Sequence, residues 1–226
     1  MRKRYFPAAA VLLITLIGMA LFYSAQYDVD ASTDQSLESA IEAYGAWEQP
    51  AVDILQREKL GRYLFVTYRQ VDYPGFFGTA LLQKGILGKY TFLKKDNTNM
   101  PLYAAREEKL GGRYYLLIYG FNQLPQVSAY VVKDAAGQEL WRGGREEAPF
   151  LHVVKLSEKP LFDLDYKTYY DAQGQPLSEI DLRESIQISE GGAHHSTSTA
   201  ELGLMPVILG FFFLIGCAVA YSILKY

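Results

Sequence analysis

Residues 202–224 read LGLMPVILGFFFLIGCAVAYSIL, a run of 23 residues without a charged side chain. Glu201 precedes this run and Lys225 follows it. A helix of this length rises about 35 Å, which is enough to cross the roughly 30 Å hydrocarbon core of a bilayer. Uninterrupted apolarity over this length is typical of a membrane span and not of a helix in a soluble core. We therefore predict a transmembrane helix over residues 202–224.

A second apolar run lies near the start of the chain. Residues 5–23 read YFPAAAVLLITLIGMALFY, and three basic residues precede them within residues 1–4. This run predicts another transmembrane helix, with a tyrosine at each end where interfacial aromatic side chains occur. A cleaved signal peptide also begins with basic residues, but its apolar segment is shorter, about 7–15 residues. Bulky Tyr23 before Ala25 makes a poor cleavage site, so the sequence favours an uncleaved anchor.

The basic residues predict how the two helices are oriented. Residues 1–4 and residues 225–226 hold four of the 22 basic residues, whereas all 25 acidic residues lie between the helices. The positive-inside bias places both termini in the cytoplasm and the intervening segment outside the plasma membrane. That segment has 18 basic against 25 acidic residues, a charge of −7. No cytoplasmic domain is expected, so an inward signal would need a partner.

The composition excludes several classes of function. The formal net charge of −3 argues against a nucleic-acid-binding protein. The single cysteine excludes an intramolecular disulfide framework and a zinc site built mainly from thiolates. Because Cys217 lies within the predicted C-terminal helix, its thiol is expected to be protonated and unreactive.

Residues 34–188 are predicted to form an extracytoplasmic domain. A polar stalk, residues 24–33, ends at Thr33, which is a good N-cap for an amphipathic helix over residues 34–44. The pattern then changes to short β-rich runs separated by turn residues. The predicted class is α+β: a mostly antiparallel β domain with one N-terminal helix, flanked by two transmembrane helices. We expect strands near residues 52–58, 61–70, 76–83, 88–95, 112–120, 126–133, 137–142, 150–156, 161–171 and 177–188.

Residues 189–201 are predicted to be a flexible linker into the second transmembrane helix because they are small and polar. His194 and His195 lie in this linker without a third ligand nearby in sequence. No metal or cofactor is therefore expected.

Tyrosines are concentrated in the predicted β domain, and fourteen of the 18 lie between Tyr27 and Tyr170. Aromatic side chains are favoured in strands, where they fill a sheet face. They also form platforms that bind sugars, peptides or partner proteins. Neighbouring strand residues point to opposite faces, so part of each adjacent pair is expected to face solvent or a second layer. The pairs Tyr114–Tyr115 and Tyr169–Tyr170 are the candidate ligand or partner surface.

The sequence lacks the catalytic motifs that would identify an enzyme. A glycine-flanked serine elbow, a phosphate-binding glycine loop and paired zinc-binding histidines on a helix are all missing. Asp163 and Asp165 are predicted to share one strand face, where mutual repulsion would raise the pKa of one carboxyl, as in an acid/base or cation site. Glu107 and Glu108 are expected to be solvated charges in a turn.

Two stretches of the predicted domain carry a resemblance. The run Gln83-Lys-Gly-Ile-Leu-Gly-Lys-Tyr90, with Leu116-Leu-Ile-Tyr-Gly-Phe-Asn122 further along, is similar to a pattern in small uncharacterised two-pass membrane proteins of Gram-positive bacteria. The resemblance implies a location in the cell envelope and assigns no activity or site residue. Gly85 and Gly88 bracket Ile86 and Leu87, which fits a tight turn or bulge between two strands.

The leading functional hypothesis is a non-catalytic binding or assembly domain on a two-pass membrane protein, accessory to another membrane-protein or cell-envelope partner. Small residues in the second transmembrane helix, Gly210, Gly216 and Ala220, are candidates for helix packing. The alternative is a cell-envelope hydrolase or transferase that uses Asp163 and Asp165. A third possibility is a structural protein that stiffens or spaces an assembly.

Overall fold

The chain forms a mostly antiparallel β domain between two apolar terminal helices, which confirms the predicted α+β class. The computed structural model describes residues 2–44, 50–72, 76–99, 103–120, 124–145, 149–161, 167–178, 182, 196–198 and 205–225. Helix α1 spans Arg2–Gln26, α2 spans Asp34–Ala43 and α3 spans Met205–Lys225. Helices α1 and α3 are each long and apolar enough to span a membrane.

The described strands form three sheets in which every pairing is antiparallel. The strand bounds are β1 Val52–Leu60, β2 Tyr63–Gln70, β3 Phe76–Lys84, β4 Tyr90–Asn99, β5 Tyr103–Leu110, β6 Arg113–Gly120, β7 Ala129–Lys133, β8 Glu139–Gly144, β9 Phe150–Leu156, β10 Lys167–Tyr170, β11 Pro176–Leu177 and β12 Ser196–Ser198. Sheet I has the order β1-β2-β3-β4-β12, sheet II has the order β5-β6-β9, and sheet III has the order β11-β10-β7-β8.

Two segments that the sequence pattern does not predict as strands, β5 and β12, are strands in the structure. The expectation that Glu107 and Glu108 are turn charges is wrong, because both lie within β5 and pair in register with Leu116 and Tyr115 of β6. Four consecutive charged residues in β5 hide the alternation by which a strand is recognised. Residues 196–198, within the predicted linker, form β12 on the outer edge of β4. Pairing with a neighbouring strand decides both cases, and local sequence does not encode that pairing.

The domain is a stack of four layers: α2, sheet I, sheet II and sheet III. One hydrophobic cluster joins α2 to sheet I, a second joins sheet I to sheet II, and a third joins sheet II to sheet III. Val66 of β2 faces α2, whereas the adjacent Phe65 faces sheet II. In β6, Leu116 faces sheet III and Leu117 faces sheet I. Both strands are covered on two faces, which explains why their apolar residues run continuously along the sequence.

Helix α2 also covers the edge of sheet I that β1 forms. The Thr33 hydroxyl accepts a hydrogen bond from the Ser36 amide, which caps the helix at its predicted start. Carboxylates of α2 then replace the missing neighbour strand of β1, because Glu42 accepts from the Val52 amide at 2.9 Å and Glu38 accepts from the Ile54 amide at 3.0 Å. A sheet edge satisfied in this way is not available for pairing with another chain.

The far end of α2 is held by a buried lysine. The Lys95 ammonium donates hydrogen bonds to the carbonyl oxygens of Ile41, at 2.6 Å, and Tyr44, at 3.2 Å. A cation at this position satisfies carbonyl groups that a helix leaves unpaired at its C-terminus. Burial lowers the pKa of Lys95 to about 8, against a smaller opposite effect from the nearby Glu42 carboxylate.

Candidate functional site

Helices α1 and α3 pack against each other, and small residues lie at their contact. A Cβ atom at Gly216 would stand 2.5 Å from the Thr15 hydroxyl oxygen, so the glycine permits the close approach of the two helices. Ala8 and Ala220 are also buried, each at 4% exposure. Gly210 has open space where its Cβ would be. Of the three residues predicted for helix packing, Gly216 and Ala220 therefore lie in the contact and Gly210 lies outside it.

The rest of the surface of this helix pair is apolar and exposed. Phe6 is 82% exposed, and large side chains further along both helices are similarly uncovered, among them Leu13, Leu21, Phe211 and Leu214. An exposed apolar surface of this extent is typical of surfaces that contact a membrane or another protein.

The end of α1 is attached to the β domain at the turn between β3 and β4. The rings of Tyr23 and Tyr27 stack with their centroids 4.6 Å apart. The Tyr23 hydroxyl accepts a hydrogen bond from the Ile86 amide at 2.7 Å, and the Gln83 amide group donates to the Tyr27 hydroxyl at 3.1 Å. A Cβ atom at Gly85 would lie only 2.6 Å from either tyrosine side chain. The absence of a side chain at Gly85 therefore allows the two rings to pack on the turn.

The polypeptide that follows α1, predicted as a polar stalk over residues 24–33, continues this attachment. Helix α1 runs to Gln26, and Tyr27 and Val29 are each only 7% exposed. Val29 exchanges two backbone hydrogen bonds with Tyr90 at the start of β4, at 3.0 and 2.8 Å. The sequence shows mostly small and polar residues here, and it does not reveal that Tyr27 and Val29 are buried against the domain.

Three hairpin turns meet at the end of the domain where α1 is attached, and we call this region the junction end. Its turns are residues 61–62, 85–89 and 111–112. The Lys84 amide donates to the Arg62 carbonyl at 2.7 Å, which ties the second turn to the first. Gly111 approaches the Tyr63 hydroxyl, which places the third turn beside them.

The junction end is basic although the predicted exterior segment as a whole is acidic. Six basic residues lie within two positions of the three turns in the sequence, and no acidic residue does: Lys59, Arg62, Lys84, Lys89, Lys109 and Arg113. Two acidic residues, Asp28 and Asp30, reach this end from the segment after α1, so the basic residues outnumber them. This end therefore has a positive charge that the net charge of the chain does not reveal.

The turn over residues 85–89 presents two large apolar side chains to solvent. Ile86 is 90% exposed and Leu87 is 72% exposed. The two glycines that bracket them indicate the turn in the sequence, but only the structure shows that neither side chain folds back onto the domain.

A group of charged residues lies between β4 and β5, where the chain passes from sheet I to sheet II. Arg106 forms ion pairs with Asp96 and, at 3.1 Å, with Glu108. The Lys94 ammonium lies 3.5 Å from Asp96 and 3.6 Å from Glu108. Arg106 and Glu108 side chains are each only 15% exposed, and the guanidinium lies 6.0 Å from the centre of the Tyr119 ring. Because both carboxylates are paired with cations, this network is suited to fixing the position of β4 against β5.

The four predicted surface tyrosines separate into two groups. Tyr115 is 7% exposed and lies between sheets I and II, and Tyr169 is 2% exposed and lies between sheets II and III. Tyr114 and Tyr170 are partly exposed, with Lys109 and Arg142 respectively 5.5 Å from their ring centres. Each strand alternates its side chains, so one tyrosine of each pair is buried and only the other is accessible to a partner.

The remaining candidates give no site within the described residues. Asp163 and Asp165, like His194 and His195, lie outside them. The part of the chain that the structure describes has no group of three or more histidine, cysteine, aspartate or glutamate residues arranged to hold a metal ion. His152 contacts the rings of Trp141 and Phe150 at centroid distances of 5.3 and 5.6 Å, a packing arrangement within the β domain.

Comparison of the chain with protein-family models, with curated proteins and with solved structures finds no match. The features of the molecule that bear on its function are therefore the junction between α1 and the β domain, the apolar helix pair and the charge of the junction end.

Proposed function

We propose that this protein is a two-pass plasma-membrane protein whose β domain lies outside the cell and binds a neighbouring membrane or envelope protein without catalysing a reaction. In this topology α1 and α3 span the bilayer and both termini are cytoplasmic. The exposed apolar surface of the helix pair supports the membrane placement, since burying that surface in lipid removes it from water.

The observation that carries the proposal is the attachment of α1 to the β3–β4 turn. The stacked rings of Tyr23 and Tyr27, their two hydrogen bonds and the Val29–Tyr90 pairing leave no free tether between the helix and the domain. The domain is thereby held next to the bilayer in one orientation. A domain fixed in this way is suited to lateral contact with another membrane complex and not to capturing distant ligands.

The alternative function, a carboxylate-dependent hydrolase or transferase, rests on Asp163 and Asp165. Since both residues lie outside the described part of the chain, that hypothesis stays a prediction. The paired carboxylates of the β4–β5 network do not favour it.

The proposal is tested first for membrane insertion. The full chain is expressed in cells, and membranes are extracted with alkaline carbonate and then with detergent. We expect the protein to stay in the membrane pellet through carbonate and to dissolve in detergent. Release by carbonate would refute the membrane placement.

In-cell photocrosslinking then tests the lateral partner. A photoreactive phenylalanine analogue replaces Tyr114 or Tyr170, the partly exposed tyrosines, and a control chain carries it at Val71. Val71 is 47% exposed and follows β2 at the end of sheet I opposite the junction end. We expect one reproducible membrane-protein adduct from a tyrosine position and none from position 71. Equal labelling from all positions, or none, would contradict the proposal.

A further inference from the structure

The β3–β4 turn carries two large apolar side chains that the folded chain leaves uncovered, Ile86 at 90% and Leu87 at 72% exposure. We propose that this turn is a lipid-binding tip. In this arrangement Ile86 and Leu87 insert into the interfacial layer of the bilayer beside α1, and the basic side chains of the junction end contact anionic lipid headgroups. The inference rests on the proposed membrane placement of α1 and α3.

The attachment to α1 sets the depth of the tip. Tyr23 is the last residue of the apolar run 5–23, and its hydroxyl is bonded to the Ile86 amide at 2.7 Å. Tyrosines at the ends of membrane spans lie at the headgroup level. The tip backbone is therefore at the height of the headgroups, within the layer of about 5–8 Å that separates water from the hydrocarbon core.

Three backbone amide groups of the turn are already hydrogen-bonded within the protein, which suits a poorly hydrated environment. The Gly85 amide donates to the Lys89 carbonyl at 2.7 Å, the Gly88 amide donates to the Gly85 carbonyl at 3.2 Å, and the Ile86 amide is held by Tyr23. Unsatisfied amide groups oppose insertion into lipid, and these three are satisfied within the protein. Since the turn is already ordered by these bonds, little conformational freedom is lost on insertion.

The charges around the tip favour anionic lipid as its binding partner. Lys84 and Lys89 flank the two apolar residues, Arg62 lies on the adjoining turn, and Lys59 lies near the end of the adjoining strand β1. Asp28 and Asp30 also lie at this end, but the basic residues outnumber them, and an apolar centre with an excess of basic residues around it is the pattern of surfaces that bind anionic lipid. A second copy of the chain would bring the same positive charges together, which disfavours it as the occupant.

The depth of the tip can be measured with the full chain in lipid vesicles. In a Cys217→Ala background, Leu87→Cys is labelled with an environment-sensitive nitrobenzoxadiazole dye. Vesicles contain phosphatidylcholine and phosphatidylglycerol, together with a quencher lipid that carries a nitroxide near the headgroup end of its acyl chain. A matched chain carries the dye at Val71→Cys, at the opposite end of sheet I. We expect the quencher to reduce the emission of the dye at position 87 by about twofold or more, and to leave that at position 71 unchanged.

A second pair of variants excludes insertion that the dye itself drives. The dye is moved to Lys89→Cys, and the chain with the native tip is compared with one carrying Ile86→Ser and Leu87→Ser. Stronger quenching with the native tip supports the proposal. Equal quenching in the two chains would overturn it.

The anionic preference has its own measurement. The nitroxide is placed on phosphatidylglycerol in one experiment and on phosphatidylcholine in the other, with the dye at position 87. We expect labelled phosphatidylglycerol to quench the dye more strongly than labelled phosphatidylcholine does. The ratio of the two quenching efficiencies should fall to near one after Lys84→Gln and Arg62→Gln. A ratio of one in the chain without these two substitutions would overturn the charged part of the proposal.

Failure of this inference is distinguishable from failure of the proposed function. A chain that alkaline carbonate strips from the vesicles refutes the membrane placement and the tip together. A chain that stays in the vesicles with an unquenched, water-exposed dye refutes the tip alone. A dye that is shielded from water yet unquenched by lipid identifies a protein occupant and also refutes the tip.

Discussion

The substitution Gly85→Ala tests the junction between α1 and the β domain. The added methyl group would stand 2.6 Å from the Tyr23 hydroxyl oxygen and 2.6 Å from a Tyr27 ring carbon, well inside van der Waals contact. Tyr27 is buried and stacked on Tyr23, so its ring has little room to move aside. We expect the junction to open while the four-layer core stays folded.

The size of the effect follows from the contacts that the methyl group disturbs. Overpacking of a tightly packed contact costs about 1–3 kcal/mol. The two hydrogen bonds of Tyr23 and Tyr27 contribute about 1 kcal/mol each, and their stacking adds about 0.5–1.5 kcal/mol. A loss of about 2 kcal/mol would raise the equilibrium constant for local opening by about 30-fold.

Hydrogen–deuterium exchange of the full chain in detergent micelles measures this opening directly. Exchange of the amides in residues 83–90 should become about 30-fold faster, because exchange follows the population of the open junction. Amides of β6, such as that of Leu116 in the core, should be unchanged. Tyr23→Phe removes only the hydroxyl and should accelerate exchange of the Ile86 amide by about fivefold.

The matched control is Gly144→Ala in β8, where no atom lies within 4 Å of the added Cβ. Neither Gly85 nor Gly144 has a positive φ, so both substitutions restrict the unfolded chain similarly and the difference between them reports the contact. Exchange in residues 83–90 that is equal in both variants would refute the steric argument. Faster exchange throughout the domain would show that the junction is not a separate unit.

The other predictions concern the helix pair, the buried lysine and the ionic network. In detergent unfolding titrations, the free energy of unfolding of the Gly216→Ala chain should be about 1–3 kcal/mol lower than that of the control Gly210→Ala chain. Only the methyl group at position 216 would meet the opposite helix. Burial lowers the pKa of Lys95 to about 8, below its value near 10.4 in an unfolded chain, so the unfolded state binds more protons between these values. The free energy of unfolding should therefore rise with pH across that window relative to Lys95→Met, measured by urea denaturation, and parallel pH profiles would contradict the assignment. Arg106→Met should destabilise the domain by about 2–4 kcal/mol because it leaves Asp96 with a weaker partner, the Lys94 ammonium at 3.5 Å. An equally large loss in an Asp96→Asn background would show that packing and not charge is responsible.

The sequence predicts the parts of this protein that depend on local pattern. The apolar runs of α1 and α3 are long enough to be recognised from length and charge alone. The N-cap at Thr33 and the apolar stripe that buries Leu37 and Ile41 place α2 within a residue of its observed end. Each of these signals lies within one segment and needs no knowledge of a distant partner.

The candidate site was less accessible to sequence reasoning. Gly85 and Gly88 indicate a turn, but the packing of Tyr23 and Tyr27 on Gly85 joins residues more than fifty positions apart in the chain. Likewise, the adjacent tyrosines show which residues alternate, and only the stacking of three sheets decides that Tyr115 and Tyr169 are the buried members.

The sequence by itself determined the two apolar helices, the α+β class and the acidic charge of the segment between the helices, because each follows from composition and periodicity along the chain. The tertiary structure decided that β5 is a strand, that the segment after α1 is attached to β4, and that six basic residues from three separate turns lie at one end of the domain. The physical reason is that cross-strand hydrogen bonds, side-chain packing and charge clustering depend on which distant segments the fold brings together.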